Sequence, residues 1–93
     1  MIVHNVLFKL KDPGEIDEAT TLLKSMKGQI AELKHIEVGI DKLKTERSYH
    51  IALTTHFETW ADLEAYRVHP VHKPILAHMA RVVSTAAVVD YEI

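Results

Sequence analysis

Two imidazoles and a phenol fall within seven residues in Tyr66-Arg67-Val68-His69-Pro70-Val71-His72. These groups accept, donate and relay protons near neutral pH. His72 is the expected general base, because a largely neutral imidazole can take a proton acidified by a neighbouring carbonyl. Tyr66 is the matching oxyanion donor, placing its O–H on the enolate oxygen that forms. Such a pair suits aldol or Claisen-type closure, isomerisation or lactone chemistry. A structural role is the alternative. His69 and His72 would then cap a broken helix, and Tyr66 would be a core residue with a wet hydroxyl.

The proline dictates the local shape. Pro70 lacks an N–H and biases His69 away from helical geometry, so a helix must break there. One helical region begins at Thr59, where Thr59 and Asp62 form a loose capping box with Trp60 and Leu63 facing inward. Another follows over about Lys73 to Val83, with Ile75, Leu76, Met79, Val82 and Val83 apolar. An earlier helix is expected over Glu15 to Lys27, with Asp12-Pro13 at its start and Gly28 as its C-terminal cap. Four strands complete the pattern: Ile2 to Leu10, His35 to Leu43, Arg47 to Phe57 and Thr85 to Tyr91.

The order β-α-β, β-α-β predicts an α+β, ferredoxin-like (split βαβ) sandwich over residues 1–93, with the first and third strands central. Helices can cover only one face of that sheet. Alternation puts Val3, Leu7, Ala52, Ala86 and Val88 on the other face, a strip apolar enough to need a second sheet against it. The expected partner is therefore a second copy of the chain. His4 shares the helix-facing side of strand one with Ile2, Val6 and Phe8, where it could meet Tyr66 and His72. His50 and His56 point to the opposite face, and His35 and His78 read as surface residues.

Composition narrows the function. The chain has 93 residues, one domain's worth, with 47% hydrophobic and 26% charged residues and a formal charge of −2. No basic stripe supports nucleic-acid binding, and no apolar run approaches the roughly 20 residues a bilayer needs. The N-terminal residues lack a signal-peptide layout, so the cytoplasm is the expected location. The chain has no cysteine, which removes disulfides and thiolate chemistry. His69-x-x-His72 offers two metal ligands with no acidic residue at a fitting distance, so neither a metal nor another cofactor is expected.

Taken together, His4, Glu37-Val38-Gly39-Ile40-Asp41, Phe57-Glu58-Thr59, Tyr66-x-x-His69-Pro70-x-His72 and Val89-Asp90-Tyr91 resemble the stress-responsive A/B barrel (Dabb) family. The resemblance spans nearly the whole chain, and the Tyr-x-x-His-Pro-x-His segment is its most specific part. It implies a homodimeric α/β barrel built from two ferredoxin-like subunits, often stress-associated and without an assigned reaction. A plant polyketide cyclase of the family uses a histidine and a tyrosine of that segment, which correspond to His72 and Tyr66. His4 matches a further pocket histidine, whereas Ile51 stands where the cyclase has another.

Three functions follow as expectations. One is a binding protein for a small apolar or aromatic molecule, with His4, His69 and Trp60 contacting the ligand and Trp60 fluorescence reporting it. Another is a cofactor-independent cyclase or isomerase using His72 and Tyr66. The third is a cofactor-free monooxygenase of the antibiotic-biosynthesis type.

Overall fold

A computed structural model describes all 93 residues. Strand β1 (Ile2–Leu10) leads through a 3-10 turn (Pro13–Glu15) into helix α1 (Ile16–Lys24). Strands β2 (His35–Ile40) and β3 (Ile51–Phe57), helices α2 (Trp60–Arg67) and α3 (His72–Val82), and strand β4 (Val83–Glu92) follow. The sheet is antiparallel in the order β2-β3-β1-β4. The ferredoxin-like expectation therefore holds, with β1 and β3 central.

Element boundaries shift where side chains redirect the backbone. The Asp12 carboxylate accepts the Gly14 N–H at 2.9 Å and so starts the 3-10 turn ahead of α1. Helix α1 stops at Lys24, short of the expected Lys27, and the chain turns through Gly28 at φ +76°. That left-handed angle suits glycine because it has no Cβ. Between β2 and β3, the Asp41 carboxylate accepts the Lys44 N–H at 2.7 Å and Lys44 takes φ +57°. This turn ends β2 three residues before the expected Leu43 and delays β3 to Ile51.

The core lies between sheet and helices. It gathers Ile2, Val6 and Leu10 of β1, Ile51, Leu53 and Phe57 of β3, and Leu63, Tyr66, Ile75 and Met79 of α2 and α3. Thr59 anchors α2 by accepting the Asp62 N–H at 3.1 Å. Thr59→Ala should cost about 1 kcal/mol of stability, read as a lower denaturant midpoint with an unchanged slope.

The phase of β4 corrects one expectation. Residues opposite each other in an antiparallel ladder share a face. Phe8 pairs with Ala86, Val6 with Val88 and His4 with Asp90. Ala86 and Val88 therefore lie on the helix-facing side, and Ala87, Val89 and Tyr91 occupy the open face instead. Apolar residues on both sides of β4 gave its alternation no phase. Only its pairing with β1 sets one.

Candidate active site

Tyr66 ends the core face of α2, and the helix breaks directly after it. The His69 N–H returns to the Tyr66 carbonyl at 3.1 Å, and the Lys73 N–H reaches the His69 carbonyl at 3.0 Å as α3 begins. Pro70 occupies the turn, where no N–H is needed. This bend folds the first residue of α3 back over the last turn of α2. The rings of His72 and Tyr66 stack with centroids 4.2 Å apart and planes 23° from parallel.

Both rings line a cavity of about 540 Å³ between the sheet and the helices. Phe8, Leu53, Leu63, Ile75, Leu76 and Met79 make it mainly apolar. A larger recess of about 630 Å³ lies by the 3-10 turn and the β2–β3 connection, but Ile16 and Ile40 are its only branched apolar residues. The smaller cavity is the stronger candidate site, because it joins apolar walls to converging titratable groups.

The tautomer of His72 follows from its partner. Its Nδ1 stands 3.2 Å from the Arg67 carbonyl oxygen, which can only accept, so the neutral ring carries its hydrogen on Nδ1. Nε2 is left with a lone pair, as a general base requires. The capping and chemical roles are thus compatible in His72. Burial pushes the His72 pKa below 6.5, with the nearby positive charge of protonated His4 acting in the same direction and the Arg67 carbonyl opposing them. Tyr66 is 1% exposed. Burial raises its phenol from 10.0 to about 12, which keeps it a proton donor at neutral pH.

The lowered pKa has a signed consequence for stability. Above pH 6.5 both folded and unfolded chains carry neutral His72. As pH falls through 6.5 toward the lower folded value, the unfolded chain takes up the proton first and stability declines. Melting curves between about pH 7 and pH 5 should therefore show a larger acid loss for the native chain than for His72→Gln. Equal losses would show that His72 is not held neutral by the fold.

His4 enters the cavity from β1, as expected, with its ring edge toward Tyr66 at 6.4 Å. Its Nδ1 is bound by the carboxylate of Asp90, directly opposite on β4. Asp90 also lines the cavity. Although it stands within the family-like pattern, its side chain could be placed only by the register of β4. The site thus contains two imidazoles, one tied to a carbonyl and one to a carboxylate, together with the phenol.

Two expected ligand contacts lie outside this cavity. His69 accepts the Val71 N–H at 3.0 Å, so its Nδ1 serves the backbone of the bend. Trp60 is 46% exposed, and its indole N–H donates to Glu92 at 3.0 Å. As the first residue of α2 it falls outside the stripe set by Leu63 and Tyr66, so it does not face inward. Ile51 is buried in the core, and Leu53 is the β3 residue that meets the cavity.

Comparison with known proteins agrees with this architecture. A dimeric ferredoxin-like protein of unknown function from Bacteroides fragilis is 27% identical, with 99% of this chain and 95% of that one covered and a TM-score of 0.86. A second such dimeric protein, from Thermobifida fusca, is 26% identical over 99% and 90% of the two chains, with a TM-score of 0.88. A hydroxynitrile lyase from Passiflora edulis shares the fold at 18% identity, covering 99% and 92%, with a TM-score of 0.84. No curated protein sequence matches the chain. Residues 2–93 match the Stress responsive A/B Barrel Domain family over almost the full length, and the chain belongs to that family.

Proposed function

We propose that this protein binds a small, largely apolar or aromatic carbonyl compound between sheet and helices and moves a proton on the carbon beside the carbonyl. One observation carries the reading: His72 and Tyr66 stack in one apolar cavity, with Nδ1 of His72 committed to Arg67 and Nε2 open. Nε2 takes the proton, the carbonyl oxygen gains the charge, and the Tyr66 O–H donates to that oxygen. Return of the proton to carbon gives isomerisation or exchange. Attack of the enolate carbon on a second carbonyl gives ring closure, with the new alkoxide taking the proton. Asp90 holds His4 in one orientation in the same cavity.

The site chemistry is tested by solvent exchange. Aryl ketones and β-keto thioesters are incubated with the protein in deuterium oxide and followed by proton NMR. Loss of the α-proton signal above the spontaneous rate supports the reading. Saturable binding without exchange across the panel reduces it to a ligand-binding pocket.

The open face supports a homodimer. It presents Leu7, Val89 and Tyr91 to solvent, and the similar B. fragilis and T. fusca proteins are described as dimeric. Two copies meeting sheet to sheet would cover this strip and close the barrel.

A further inference from the structure

His78 was expected at the surface, but α3 packs along α1 and turns the ring inward. The side chain is 13% exposed, and its Nε2 is buried without a hydrogen-bond partner. It is the one buried side-chain nitrogen or oxygen left unpaired in the chain. Burying a polar atom in this way costs folding free energy unless something satisfies it. The nearest carboxylate oxygen, from Glu18 on α1, stands 3.7 Å away, beyond hydrogen-bond length. Glu15, in the turn before α1, brings a second carboxylate. One ligand atom from each residue falls within 4.8 Å of the others.

That spacing has a chemical reading. Two ligands each about 2.0–2.1 Å from a zinc ion, at the tetrahedral angle, stand roughly 3.4 Å apart. The His78–Glu18 gap is too wide for a hydrogen bond and close to this ligand-to-ligand distance. We propose that His78, Glu18 and Glu15 form a site for a zinc-class divalent cation. One imidazole nitrogen and two carboxylates favour zinc or a similar first-row ion over calcium or magnesium, which prefer oxygen alone. Three protein ligands leave a position for water. The ion would clamp the start of α1 to α3. These helices also supply Leu23, Ile75, Leu76 and Met79 to the cavity wall, so its occupancy would stiffen that wall. The site does not depend on the chemistry assigned to His72 and Tyr66.

The test uses the untagged chain, stripped with a chelator and titrated with Zn²⁺ near neutral pH by calorimetry. Co²⁺ serves as a spectroscopic stand-in. The expected result is one tight equivalent per chain, a visible Co²⁺ spectrum of low coordination number and a higher melting temperature with Zn²⁺. Glu18 is exposed, so Glu18→Gln should fold normally while losing about tenfold or more in affinity. His78→Gln should abolish the tight equivalent, whereas His35→Ala, which removes an exposed histidine beside His56 on the sheet, should retain it. Native-like Zn²⁺ binding by both Glu18→Gln and His78→Gln would overturn the site. So would the absence of a tight equivalent in the native chain, which would leave His78 packed beside Glu18 without an ion.

Discussion

Alanine at position 72 is expected to lower catalysed α-proton exchange by about 10²- to 10⁴-fold while leaving the chain folded. That range is about 2.7–5.4 kcal/mol of barrier. It is the span removed when a positioned base is lost and water must take its place. The structure favours a large effect, because His72 is the imidazole stacked on Tyr66, with centroids 4.2 Å apart, while the His4 ring stands 6.4 Å from that phenol. The fold should survive, since His72 contributes one side-chain bond to Arg67 while the bend is also held by backbone bonds from His69 and Lys73. Equal exchange rates in the native and alanine proteins, with binding retained, would remove His72 as the base. The pH profile gives a separate check. Burial lowers the His72 pKa, so the acid limb of the rate should fall below the ordinary imidazole value of 6.5.

How far the sequence foretold this site depends on which contacts fix each residue. Tyr66 and His72 were legible because Pro70 forces a break between them, and a break returns the chain onto itself. His4 was legible because the strict alternation of β1 leaves only two faces. Asp90 was not, since β4 is apolar on both sides and acquires a phase only by pairing with β1. Trp60 misled because Trp60 and Leu63 are spaced as a helical pair. In an eight-residue helix, the deeper contacts of Leu63 and Tyr66 set the rotation and leave the first residue outside. His78 lies beside the core residue Met79, so its burial depends on where α1 packs, and no local pattern reports that. The fold itself was more legible because it rests on element order and crossover handedness, which tolerate boundary shifts such as the early end of β2.

The open face yields the other large effect. Arginine in place of Leu7 should convert the proposed sheet-to-sheet dimer to a folded monomer. Leu7 is 40% exposed in the single chain and pairs with Ala52 on one side and Ala87 on the other. It is therefore the largest apolar side chain in the central row of that face. In a two-fold dimer each substitution occurs twice, so two guanidinium groups would enter one sheet-to-sheet contact. An unpaired charge held in such a contact costs several kcal/mol, enough to weaken association by roughly a thousandfold or more. The core should be spared, because Ile2, Val6 and Leu10 face the helices while Leu7 points away. Sedimentation at micromolar concentrations should show the mass halved with an unchanged circular dichroism spectrum. A dimer that persists in Leu7→Arg would mean that the subunits meet elsewhere. The strip formed by Leu7, Val89 and Tyr91 would then need a different cover.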